Sequence, residues 1–150
     1  MSLLKQIEQD LVKALKSGNR EEAETLRGLK SDIKYYQIDK RIDEVSDEQV
    51  VEVLSSAAKR RRDSMEQFKA GGRDDLFEKE SRELETIKRY LPEPLSEQDI
   101  ENLVKEIMDE VGAVSKSDMG KVMKEIMPRA RGRADGNLVK QVVLRLLSSE

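Results

Sequence analysis

Two of the three prolines in this chain stand two residues apart, in the segment Leu91-Pro92-Glu93-Pro94-Leu95-Ser96, and they fix where helix cannot run. A proline ring pushes the residue before it out of the α region, so Leu91 and Glu93 are both predicted to be non-helical. No helix crosses this point. On either side, apolar residues recur at spacings of three and four, the signature of amphipathic helix. The sequence therefore predicts an all-α protein with two parts: a helical N-terminal domain over residues 1–93, containing a long antiparallel hairpin, and a small three-helix domain over residues 94–150.

The spacing resolves individual helices. Leu4, Ile7, Leu11 and Ala14 share one face, and Ser17-Gly18-Asn19 supplies a stop and a new N-cap. Ala23, Leu26, Leu29, Ile33 and Tyr36 form the next stripe, which fades in the polar stretch from Gln37 to Ser46, read as a connector. Ser46 with Gln49 at N3 makes a capping box for a helix carrying Val50, Leu54, Ala57, Met65 and Phe68. Gly71 or Gly72 ends it, and Phe77, Leu84, Ile87 and Leu91 line the return, so residues 46–91 read as the hairpin. Beyond the prolines, Ser96 caps a helix that Gly112 closes. A short helix capped by Ser117 is expected to stop at Pro128, and a third runs from Leu138 to Leu147.

Charged residues make up 39% of the chain and apolar ones 37%, which suits thin helical layers better than one large core. The net charge is −3, so any site for a polyanion has to be local. Between Ser115 and Leu147 there are eight cations against Asp118, Glu125 and Asp135. With neither Cys nor His, thiolate and imidazole chemistry are excluded, and no metal or cofactor is expected. No apolar run approaches the roughly 20 residues of a membrane span, and a soluble cytoplasmic protein is expected.

Several motifs have to be weighed against plainer readings. Lys59-Arg60-Arg61-Arg62 turns about 100° per residue on a helix and fans around it, which favours solvated or ion-paired side chains over a nucleic-acid patch. Ser115-Lys116-Ser117 lacks an oxyanion loop and reads as a cap, not a nucleophile. The carboxylate pairs lie on charged helix faces, so no catalytic residue is assigned. Met119, Met123 and Met127 recur every four residues: such a stripe fills a core or accepts a partner helix. Arg129, Arg131 and Arg133 alternate after Pro128. If that stretch is extended, the three guanidiniums point one way beside the helix start at Asp135-Gly136, which makes an anion site, whereas a solvated turn makes none. Asp135 competes for the same amides. The candidate nucleic-acid-binding residues are Lys121, Lys124, Arg129, Arg131, Arg133, Gly136 and Lys140, and the candidate partner-binding residues are Met119, Met123 and Met127.

Four ordered blocks, TLRGLKSDIK, KRRRDSMEQFKAGGRDDLFEKE, YLPEPLSEQDI and DMGKVMKEIMPRARGRADGNLV, resemble the YqeY branch of the GatB/YqeY family nearly end to end. The C-terminal block is similar to the tail of the B subunit of the tRNA-dependent amidotransferase, at Met119, Gly120, Lys121, Pro128, Gly132, Arg133, Ala134, Asp135 and Gly136. The resemblance implies an all-helical fold and an accessory role in which the tail helps to hold tRNA. The partners it implies are tRNA or a tRNA-modifying or aminoacyl-tRNA enzyme. Carbon-nitrogen ligase activity with glutamine as nitrogen donor is an association carried by the family name, and the chain lacks the parts to perform it alone. The alternative from another class is a helical protein-interaction adaptor that makes no nucleic-acid contact. If the border at Pro92-Pro94 is right, residues 96–150 expressed alone should be helical and melt cooperatively. A circular dichroism spectrum of a coil would refute it.

Overall fold

The structure, a computed structural model, describes residues 1–130 and 133–148. Among them are seven α-helices and no strand. The helices are α1 (Leu3–Ser17), α2 (Arg20–Lys40), α3 (Asp47–Ala70), α4 (Asp74–Lys88), α5 (Glu97–Val111), α6 (Met119–Ala130) and α7 (Gly136–Ser148). The chain divides into two compact units, Met1–Leu91 and Pro92–Glu150.

In the first unit α1 to α4 enclose a core of aliphatic side chains that includes Ile7, Leu11, Leu26, Leu29, Ile33, Val50, Leu54, Leu84 and Ile87. Each turn has its local cause. Gly18, at φ 76°, ends α1 in the left-handed conformation, and Asn19 accepts the Glu22 amide to open α2. Ser46 and Gln49 exchange both capping bonds at the start of α3. Gly72, at φ 71°, reverses the chain into α4. The seams between helices close with a few long-range bonds. The Leu3 amide donates to Asp47 Oδ1 at 2.9 Å, and the buried Tyr90 hydroxyl donates to Asp10 at 2.5 Å. Burial, and then the Asp10 carboxylate, push the Tyr90 phenol above its ordinary value.

Two readings of this unit need adjustment. The connector expected from Gln37 begins four residues later, because α2 continues to Lys40. What ends α2 is the left-handed Arg41, at φ 56°, whose amide bonds Ile38 O while that of Ile42 bonds Gln37 O. Rising polarity does not stop a helix whose backbone bonds are still being made. The long hairpin is present, but α3 and α4 bury residues only near the core: α3 has none beyond Ala58, and α4 has Leu84 and Ile87. Met65 still packs against the core, and beyond it the two helices form an arm on which Phe68 and Phe77 are half-buried. Within the arm Arg61 Nη1 donates to Ala57 O at 3.1 Å and its Nε lies 3.5 Å from Glu83, while Arg60 reaches Asp32 at 3.0 Å. The Lys59 to Arg62 run is thus partly tied into the unit. Burial raises the Glu83 carboxyl, and Arg61 opposes the rise.

One residue has no structural cause. Gly28 sits in the middle of α2, where glycine costs about 1 kcal/mol relative to alanine. A Cβ placed on it meets nothing within 4 Å.

The second unit packs α5, α6 and α7 around Ile100, Val104, Ile107, Val122, Ile126, Val139, Val142, Val143 and Leu147. Ser96 and Asp99 form the capping box of α5, and Gly112, at φ 69°, ends it. Ser117 does not cap α6. It lies inside a 3-10 turn, Lys116–Asp118, that leads into the helix, and the Asp118 carboxylate accepts the Val114 and Ser115 amides at 2.9 and 3.3 Å. Pro128 does not stop α6 either, for the helix runs on to Ala130. A proline inside a helix forfeits one backbone bond but has a helical φ already, and here only the last turn lies beyond it. Ala130 is buried in the second core and holds that turn in place.

Candidate nucleic-acid surface of the C-terminal unit

Helix α5 carries Glu97, Asp99, Glu101, Glu106, Asp109 and Glu110 against Lys105 alone, whereas α6 and α7 are rich in cations. Packing brings the two charge sets together. Arg129 Nη2 donates to Glu110 at 2.9 Å, and Arg145 bonds Glu97 at 3.0 Å and also Glu101. The Glu110 hydrogen bond and its charge hold the Arg129 guanidinium above its ordinary value.

Arg129 belongs to α6, not to an extended stretch, so the alternation with Arg133 does not make one row of guanidiniums. Arg131 and Gly132 fall outside the described residues. Arg133 lies in the turn after α6, and both its backbone and its side chain clasp the proline segment, at Leu95 and Glu93. Its carbonyl accepts the Leu95 amide at 2.6 Å, and its Nε donates to Glu93 O at 3.4 Å. Arg129 and Arg133 do share a groove of about 430 Å³, lined also by Leu95, Asp99, Asn102, Leu103 and Glu106. Its lining is mixed in charge, with two acids facing the two arginines. At the start of α7 the Asp135 carboxylate accepts the Asn137 amide at 2.9 Å, so it occupies the end of the helix that a phosphate would use. Gly136 is the first residue of α7, and a Cβ there would make an ordinary contact with Met127 at 3.8 Å, so no tight approach demands glycine.

The lysines behave differently. Lys124 and Arg129 are five residues apart on α6, about 140° around the helix, so Lys124 points away from α5. Lys116, Lys124 and Lys140 are exposed, and their side chains have neither an ion pair nor a hydrogen bond among the described residues. Lys121 is exposed too, with Asp118 at 3.8 Å. Beside Lys124 is Gly120, four residues back on the same face, where an added Cβ would also meet nothing within 4 Å. Met119, Met123 and Met127 are half-buried and pack on the second core together with Leu138 and Leu146. They line the α6 side of that core instead of forming an open stripe.

Sequence reasoning selected Arg129 and Arg133 for their alternation and overlooked that α5 supplies the counter-charge of Arg129 and that the proline segment engages Arg133. The signal was present in the six acids of α5, but which cations they would meet is a matter of packing. Lys116 is one of the eight cations between Ser115 and Leu147 and is not among the candidate residues read from the sequence. Among the described residues no group of His, Cys, Asp and Glu is arranged to hold a metal ion, and no helix is long and apolar enough to cross a membrane.

These features define an all-helical protein of two small cores, with a mixed-charge groove and a separate lysine-bearing helix face in the C-terminal unit. Comparison with known proteins gives its kinship. The chain belongs to the YqeY family, described as Yqey-like protein, whose model matches residues 4–147. It is 30% identical over 145 residues to the altered inheritance of mitochondria protein 41, mitochondrial, of Lachancea thermotolerans, covering 93% of this chain and 78% of that protein. To the protein of the same name in Clavispora lusitaniae it is 33% identical over 128 residues, 83% of this chain and 74% of the relative. The Saccharomyces cerevisiae protein of that name is 34% identical over 121 residues, 79% of this chain and 64% of its own length.

The caps of this unit are charge-dependent. Bonds from the Val114 and Ser115 amides hold Asp118 below the ordinary aspartate value of 3.8, and Ser96 does the same for Asp99. A carboxylate whose value is depressed on folding adds stability above its unfolded value and loses it as pH falls through the folded one. The thermal midpoint of the C-terminal unit should therefore drop as pH falls through and below the ordinary aspartate value. In Asp99→Asn with Asp118→Asn that drop should be shallower, as followed by circular dichroism. An equal slope in the variant would show that the caps do not couple to pH.

Proposed function

We propose that this protein is a non-catalytic accessory module that binds tRNA, or docks on a tRNA-handling enzyme while contacting its RNA, through the lysine face of the C-terminal unit. The observation that carries the reading is the exposed Lys116, Lys124 and Lys140, which have no carboxylate partner among the described residues in a unit where α5 engages Arg129 and Arg145. Binding to a phosphate backbone takes cations that are free to displace counterions, and a paired arginine first has to leave its carboxylate. Lys121 belongs to the same face. Arg129, Arg133 and Gly136 are then framework, holding α6, the proline segment and α7. The similarity of this region to the amidotransferase B-subunit tail, noted in its motif residues, points to tRNA as the RNA. A cytoplasmic location belongs to the same proposal, and the relatives, named as mitochondrial, direct attention to mitochondria as well.

A second reading, a protein-interaction adaptor, draws on the α3–α4 arm, where both phenylalanines of the chain, Phe68 and Phe77, are half-exposed outside the core. In that reading the arm carries the binding and the lysines are rim.

Salt dependence separates the two. Lys124→Gln with Lys140→Gln should flatten the slope of log affinity for tRNA against log salt by roughly two units without changing helix content. Arg129→Gln with Arg133→Gln should leave the slope nearly unchanged and lower the melting temperature. If the lysine pair binds tRNA with wild-type affinity and slope, the adaptor reading takes its place.

A further inference from the structure

Helix α2 sorts its charges by direction. Three of its acids face neighbouring helices, where Glu21 meets Arg82 at 2.6 Å, Glu22 meets Arg89 at 2.5 Å and Asp32 meets Arg60 at 3.0 Å. Its cations do not. Arg20, Arg27 and Lys34 recur every seven residues, with Arg41 next at the C-cap, and all four are exposed. Seven residues turn an α-helix to within about 20° of the starting direction and advance it about 10.5 Å, so Arg20, Arg27 and Lys34 form one outward row. None of the four side chains has an ion pair or a hydrogen bond among the described residues. On this outer side the remaining acids of α2 are Glu24 and Asp39.

Three further residues share the surface. Tyr35 is 72% exposed and Ile38 67% exposed, in a chain with few aromatic residues. Gly28, for which no neighbour among the described residues gives a reason, precedes Ser31 by three positions and lies about 100° around the helix from Arg27, leaving a shallow notch beside the row. A mid-helix glycine that no intrachain neighbour needs is explained when something from outside approaches the backbone closely.

We propose that the outward face of α2 is a second RNA-contact surface: the arginine and lysine row seats on phosphates, Gly28 and Ser31 admit the sugar-phosphate backbone, and Tyr35 stacks on an unpaired base. This deepens the tRNA reading above and rests on it. The chemistry favours RNA with looped or single-stranded segments, because the aromatic platform takes an unstacked base and the cations take its backbone. A lipid surface fits less well. An interfacial helix buries a whole apolar face, whereas the apolar stripe of α2, with Ala23, Leu26, Leu29 and Ile33, already lies in the core.

The test uses the full chain and bulk tRNA, measuring affinity across a salt series and the melting temperature. Arg27→Gln with Lys34→Gln should weaken binding about tenfold and flatten the salt slope by about two units. Gly28→Gln carries no charge change and puts a good helix former into α2, so it should raise the melting temperature while weakening binding several-fold at an unchanged slope. No purely structural role for Gly28 gives that opposition. If both variants bind as the wild type does while Lys124→Gln with Lys140→Gln loses affinity, the α2 proposal is overturned and the C-terminal reading stands. If the wild type shows no salt-dependent binding to tRNA, both fall. Loss of binding to phosphatidylserine vesicles or polyglutamate in the α2 variants, with tRNA affinity kept, would assign the face to a membrane or an acidic protein and overturn it as an RNA site.

Discussion

The constraint that organises this molecule is the narrowness of its apolar stripes. With more charged than apolar residues, each helix has one thin row to bury, so the chain makes two small cores and leaves every helix flanked by charge. Packing two such helices brings their flanks together along the seam. There a guanidinium fits, since its stem covers apolar surface while its planar head reaches a carboxylate across the gap. Arg60, Arg61, Arg82, Arg89, Arg129 and Arg145 all do this. Each exposed pair adds little stability, about 0–1 kcal/mol, but together they decide which charges of the protein are engaged.

The functional reading follows from what the seams leave over. On α2 the seams take Glu21, Glu22 and Asp32, and on α6 and α7 they take Arg129 and Arg145, so that among the described residues Arg20, Arg27 and Lys34 on α2 and Lys124 and Lys140 on α6 and α7 are left exposed and outside any ion pair. Both faces carry a glycine for which the protein's own packing gives no reason, Gly28 on α2 and Gly120 on α6. Such a surface suits a polyanion approached at close range. Two pairs of buried or half-buried ionisable groups, Tyr90 with Asp10 and Arg61 with Glu83, join helices to one another.

Much of this was legible before any coordinates, and for stated reasons. Helix starts were plain where a short polar side chain caps them, at Asn19, Ser46 and Ser96, because capping depends on residues three apart. Ends were plain at Gly18 and Gly112, where the left-handed conformation turns the chain, and at the Gly71-Gly72 pair, of which Gly72 takes that conformation. The misreadings share one cause, a local signal outweighed by distant packing. Pro128 looked like a stop until the burial of Ala130 carried α6 past it. Gln37 to Lys40 looked like a connector because side-chain polarity says little about backbone bonding. The arginines after Pro128 looked like a clamp because the partners of Arg129 and Arg133 are distant in sequence, Glu110 on α5 and the Glu93 carbonyl in the proline segment. The methionine row was legible as a stripe, though its sequence did not say that Leu138 and Leu146 would join it on the second core. The outward row on α2 was open to inspection at Arg20, Arg27, Lys34 and Arg41. It passed unnoticed because nothing in the sequence says that Glu21, Glu22 and Asp32 are engaged elsewhere.

The central claim is that cations outside the seams are the ones that meet a partner, and that the partner is RNA. Lysine acetylation footprinting of the full-length protein, read by mass spectrometry with and without saturating tRNA, addresses it residue by residue. The account predicts slowed acetylation at Lys34, Lys116, Lys124 and Lys140, with Lys13, Lys69 and Lys88 unaffected. Protection confined to Lys69 and its neighbours on the α3–α4 arm, or no protection at any lysine, would contradict it.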